Sequence, residues 1–238
     1  MKVVANQSNY LPWKGYFDLI HDADLFVFYD DVQYTKNDWR NRNKIKTPNG
    51  RQWLTIPLGA HQHGRINQVT LPLDRAWLAT HWRLLEKNYR ATPHFSRYES
   101  FFREVYTRRL WTRLAELNQF LITTIAREFL GIATEFIDST RFGLTSHKQQ
   151  RILDLLEAVG AHTYISGPAA KGYLDETCFQ AKGIALIWKD YAGYPEYPQF
   201  HPPFEHAVSI VDLLFQTGPS ATHYIWGWRD AEGRLNHA

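Results

Sequence analysis

The sequence predicts an α/β fold on a mostly parallel sheet, and three observations predict it. A short apolar strand at 2–5, a helical stretch at 15–22 and a second apolar strand at 25–29 follow one another within thirty residues. Strand–helix–strand units of that length place their strands parallel through a right-handed crossover. The same alternation returns late in the chain at 134–137, 162–166 and 184–188, while 74–130 reads as helix throughout. The expectation is a sheet of about five or six strands with a helical insertion at about 74–130, in one domain spanning 1–238.

Each element has its own signal. Leu25-Phe26-Val27-Phe28-Tyr29 is rich in the aromatic and branched residues that strands prefer. Arg51–Pro57 reads as a strand after the turn Pro48-Asn49-Gly50, and Arg65–Leu71 as its hairpin partner with Gly59–Gly64 at the tip. Leu110, Leu114, Leu117, Leu121 and Ile125 recur at three- and four-residue spacing, on one helix face, with Gly131 as the stop. That block builds core or caps the site. Ser146 and Gln149 have the spacing of a capping box, ahead of Ile152, Leu155, Leu156 and Val159. Pro195–Pro203 is a loop, and 208–215 and 219–226 are closing helices.

Composition narrows the function classes. A net charge of +3 with interspersed signs is too mild for a dedicated nucleic-acid binder. Cys178 is the lone cysteine, so neither a disulfide nor a cysteine metal site is available. No apolar run approaches the ~20 residues of a membrane span, and the opening residues read as a strand with no cleavable apolar segment, so the expected location is cytoplasmic. Nine tryptophans sit largely beside polar residues, which suits either an aromatic-walled pocket or a partly buried core.

Two loops hold the candidate chemistry, because ligands of parallel sheets collect at the carboxyl ends of strands. The first is Asn6–Phe17. Gln7 and Asn9 can donate and accept without charge; Gly15 at a helix start lets a ligand or another backbone approach; Lys14 and the first-turn N–H groups favour an anion. The second is Asp30–Lys44. Asp30 and Asp31 end a strand and suit a proton acceptor or a Mg²⁺ contact; Arg40 and Arg42 suit planar recognition of carboxylate or phosphate. Lys36, Lys44, Lys46 and Arg51 complete a locally basic run that a solvated loop would equally explain. His61, His63, His201 and His206 are scattered over loops, so no metal site is expected.

Asn9–Phe17, Asp30–Tyr34, Trp39–Asn43 and Trp53–Pro57 together closely resemble the WbqC-like family, as do Tyr164–Gly167, Tyr197–Gln199 and Ser209–Phe215. One departure is Ser8, where the family usually has Pro after the Gln. The resemblance implies a bacterial protein linked with surface-polysaccharide (O-antigen) biosynthesis, of a family suspected of adding acyl or aminoacyl groups to amino sugars. The opening also resembles nucleotidylyltransferases and pantothenate-synthetase-like amide ligases, which implies a Rossmannoid fold of that type; Ile165-Ser166-Gly167 resembles their second phosphate-side loop. Their His-x-Gly-His motif is replaced here by Trp13-Lys14-Gly15-Tyr16, which puts ATP activation in doubt.

The resulting expectation is a transferase or ligase forming an amide on an amino-sugar nucleotide, the acyl group being activated as an adenylate or carried. Asp30, Asp31, Lys36 and Arg42 would be catalytic. Gln7, Asn9, Trp13, Gly15, Gln33, Trp39, Arg40, Asn41, Ser166 and Gly167 would bind substrate. Cofactors stay open, with ATP and Mg²⁺ as the candidates; the partners are the amino-sugar nucleotide and the acyl donor, not nucleic acid. The alternative is a non-catalytic small-molecule-binding or accessory protein that kept the pocket and lost the ATP chemistry.

Overall fold

The computed structural model describes residues 1–59 and 64–229. Five parallel strands form the central sheet: β1 (Lys2–Asn6), β2 (Leu25–Phe28), β5 (Glu135–Asp138), β6 (Thr163–Ser166) and β7 (Ala185–Trp188). Their order is β5-β2-β1-β6-β7. Strands β1, β2 and β5 march outward in one direction, then the chain returns to lay β6 on the other side of β1. The order therefore reverses between β1 and β6, and a crevice opens there by geometry.

Both faces of this sheet are covered, as a parallel sheet requires. Val3, Leu25 and Val27 face one layer with Leu155, Leu156 of α5 (Lys148–Ala158) and Phe179 of α6 (Glu176–Ala181). Val4, Phe26 and Phe28 alternate to the other face. That face packs against α1 (Lys14–His21), the inserted helices α2 (Ala76–Tyr89), α3 (Phe95–Thr107) and α4 (Leu114–Thr124), and α7 (Ile210–Thr217). The insertion thus builds half the core. Its last helix ends in a π-helical turn, Ile125–Phe129. No helix among the described residues is long and apolar enough to cross a membrane.

The structure corrects several local expectations. The hairpin pairs β3 (Arg42–Thr47) with β4 (Gly50–Thr55), register Arg42 to Thr55. Arg65–Leu71 is not its partner; it holds a 3₁₀ turn at Ile66–Gln68 and isolated bridges to Gln33 and Arg113. β3 hides behind its charges: Asn43, Ile45 and Lys46 are buried although only one is apolar. Leu110 is exposed and outside the helix, whereas Leu114, Leu117, Leu121 and Ile125 are wholly buried. No Ser146 capping box forms. His147 takes the N-cap position of α5 without a side-chain cap, Ser146 Oγ bonds Asp154, and Gln149 Oε1 accepts the Asp175 N–H at 2.6 Å. His61 and His63 lie outside the described residues.

Candidate functional site

A cleft of about 1230 Å³ sits at the β1/β6 reversal. Its lining brings together eight of the residues singled out in the sequence: Gln7, Asn9, Trp13, Asp31, Gln33, Trp39, Ser166 and Gly167. Asn6, Arg65, Thr145, His147, Lys148 and Arg151 add further polar groups, with Tyr29, Tyr164, Tyr173 and Tyr191 as aromatic walls. A smaller hollow of about 220 Å³ adjoins it through Asn9, Trp13 and Trp39.

The two early loops meet here through direct bonds. Arg40 donates to Asn9 Oδ1 at 2.7 Å and to Gln7 Oε1. The Tyr10 N–H donates to the Trp39 carbonyl at 2.9 Å. Arg40 itself stands behind the cleft wall, half-buried, with Asp38 at 3.5 Å. Asn43, on β3, donates to the Leu11 carbonyl at 2.7 Å and the Tyr10 carbonyl at 3.3 Å. Leu11 is held there at φ 43°, a left-handed conformation that a leucine rarely adopts.

Residues of α4 lock this arrangement from below. Asn118, fully buried, donates to the Arg40 carbonyl at 2.8 Å and the Ser8 carbonyl at 3.4 Å. Gln119 donates to Asp30 at 2.9 Å and Asp138 at 3.0 Å. Neither is legible in the sequence, because an amide within an apolar helix stripe carries no local mark of its partners elsewhere in the chain.

The acids are already committed. Asp30 is buried, and besides Gln119 it accepts the Ser8 N–H at 2.8 Å; burial raises its pKa against those bonds. A proline at position 8 could not make that bond, so the departure at Ser8 adds a donor. Asp30 does not line the cleft. Asp31 does, but its Oδ1 accepts from Ser139 at 2.6 Å and its Oδ2 pairs with Arg151. Both of its oxygens are thus already engaged within the fold.

Other expected residues fall elsewhere. Lys36 and Asn41 share a separate hollow of about 210 Å³, and Asn41 donates to the Ile56 carbonyl at 3.0 Å. Arg42 donates to the Asn37 carbonyl and lies 4.4 Å from the Trp53 ring. Gly15 makes room for an indole rather than a ligand: a Cβ there would stand 2.3 Å from the Trp13 ring. Lys14 is buried 4.8 Å from the Tyr194 ring, donating to the Pro195 carbonyl at 3.3 Å, and burial lowers its pKa to about 8.

Neither metal candidate has the right donors. The cleft lining holds Asp31 as its one carboxylate, paired to Arg151, so the described residues do not fit a protein-held Mg²⁺. Asp18, His21 and Asp22 lie close together, yet Asp18 is compensated by Lys189 at 2.9 Å, Tyr194 at 2.5 Å and Arg229.

Fold and cleft define a Rossmann-like α/β protein with a large crevice of mixed polar and apolar lining at its switch point. The chain belongs to the WbqC-like protein family, whose model matches residues 7–224. It is 44% identical over 227 residues to the uncharacterized protein Rv1507c of Mycobacterium tuberculosis, covering 94% of this chain and 97% of that protein. No solved structure matches it.

Proposed function

We propose that the protein forms an amide on the amine of an amino-sugar nucleotide, as a transferase or ligase of bacterial surface-polysaccharide assembly. The observation that carries this reading is the cleft at the β1/β6 reversal. It exceeds the 300–1,000 Å³ usual for a single small ligand, and at about 1230 Å³ it has room for a donor and an acceptor together. Its lining is biased toward anions: Arg151 and Asp31 pair with each other, which leaves Arg65 and Lys148 with no carboxylate of the lining against them. Trp13 and Trp39 offer flat faces to sugar or base. The polysaccharide context comes from the family resemblance, and the cleft chemistry is compatible with it.

In this scheme the acyl carboxylate attacks the α-phosphorus of ATP and pyrophosphate leaves; the amine then attacks the acyl carbon, and AMP and a proton leave. An acyl group arriving on a carrier needs the second step alone. Asp31 is reassigned from proton acceptor to anchor of Arg151, and Asp30 to support of the Ser8 backbone. His147, exposed on the lining, is the group left to take the amine's proton. Lys36 and Arg42 drop out of the catalytic set.

Purified protein incubated with ATP, glycine or acetate and a 4-amino-sugar nucleotide should release AMP and yield the amide. His147→Gln should lower kcat by about 10²-fold or more with KM little changed. The second reading, a binding protein without turnover, is favoured by the full engagement of Asp30 and Asp31. Calorimetric binding of the sugar nucleotide with no product across a panel of acyl donors would select it.

A further inference from the structure

Asn6, Gln7 and Asn9 all line the cleft at the carboxyl end of β1. The oxygen of each amide is already engaged. Asn6 Oδ1 accepts the Gln7 N–H at 2.9 Å, Gln7 Oε1 accepts from Arg40 Nη2, and Asn9 Oδ1 accepts from Arg40 Nη1 at 2.7 Å. An amide's oxygen and nitrogen are ordinarily hard to tell apart. Here the partners decide, because a guanidinium and a backbone N–H donate and cannot accept. The three amide nitrogens then have no hydrogen-bond partner among the described residues, and none belongs to the fully buried unpaired atoms. Each nitrogen therefore keeps some access to solvent.

We propose that Arg40 is a positioning residue that turns Gln7 and Asn9, beside Asn6, into a donor-only wall for an oxyanion. The group seated there is phosphoryl or carboxylate. An ammonium or a hydroxyl presenting its hydrogen meets the three –NH₂ groups and only amide oxygens already engaged, so the amine of an acceptor substrate enters against another part of the cleft. The field agrees with the hydrogen-bond polarity: Arg151 and Asp31, the one carboxylate of the lining, neutralise each other, and Arg65 and Lys148 line the same cleft with no carboxylate of the lining left against them. The inference deepens the amide-forming reading, and rests on it for what the oxyanion belongs to.

The test is calorimetric titration of the full chain with pyrophosphate, acetate and glucosamine, which separate phosphoryl, carboxylate and amine. Asn9→Asp and Gln7→Glu keep an oxygen facing Arg40 while replacing each outward –NH₂ by an anionic oxygen. Each should lose at least tenfold in affinity for pyrophosphate or acetate, whichever the wall takes, with Tm at or above that of the parent protein. Arg40→Met frees the amides to turn; the anion should weaken while glucosamine does not, a change of selectivity that a loosened loop would not produce. The wall is overturned if neither anion binds the parent protein, if Asn9→Asp binds the anion undiminished, or if Arg40→Met weakens both probes equally. Failure of amide formation with anion discrimination intact sinks the enzymatic reading alone.

Discussion

His81 on α2 is buried and bonded on both ring nitrogens: Nε2 lies 3.2 Å from the Thr55 carbonyl, and Nδ1 lies 2.9 Å from the Tyr10 hydroxyl. A carbonyl can only accept, so Nε2 carries the proton and Nδ1 accepts from Tyr10, whose oxygen in turn accepts from Tyr106 at 2.5 Å. A second proton on the ring would face a donor in a dry site, and burial lowers the pKa from 6.5 to about 4. The unfolded chain then binds a proton below its own pKa that the folded chain refuses. Stability from this site is present in full above about pH 6.5 and is lost as pH falls toward 4. At about 1.4 kcal/mol per unit of unequal protonation, lowering the pH from about 7.5 to about 4.5 should remove about 2.5 kcal/mol. His81→Gln keeps a donor and an acceptor but does not titrate. Urea unfolding of both proteins across that range should show the parent's advantage over the variant shrinking by about 2.5 kcal/mol. A gap that stays constant with pH would refute the reasoning. The consequence reaches the cleft, because Tyr10 follows Asn9 and its backbone holds the Trp39 carbonyl.

Two further perturbations test the wall behind the cleft. Asn118→Leu leaves the Ser8 and Arg40 carbonyls without their buried donor and should cost about 1–3 kcal/mol in denaturant unfolding, with weaker pyrophosphate binding in the surviving folded protein. Gly15→Ala puts a methyl group into the Trp13 ring; it should cost about 1–3 kcal/mol, and a shift in tryptophan emission should report the indole leaving the cleft wall.

Much of the fold was legible because a sheet buried on both faces needs unbroken apolar strands. Val3-Val4, Leu25–Phe28 and Tyr164-Ile165 announce themselves in that way. The strand β3 did not, since Lys46 and Asn43 are buried by bonding rather than by apolarity: Lys46 donates to the Pro203 carbonyl at 2.5 Å and Asn43 to the turn at Leu11. The start of α5 was not legible either. The helix starts at Lys148 with His147 at its N-cap, one residue later than the Ser146–Gln149 spacing indicates, and Ser146 donates to Asp154 instead.

The sequence by itself determined the α/β class, the family, and the two loops whose residues gather at the strand ends. Adjacency along the chain and apolar periodicity are local properties, and those conclusions needed nothing more. Tertiary structure alone decided which polar groups remain available. It paired Asp31 with Arg151, turned Lys36 and Arg42 away, laid Trp13 over Gly15, and set Arg40 behind Gln7 and Asn9. A charged or amide side chain takes its role from the partner that desolvates with it, and that partner is here drawn from a distant part of the chain.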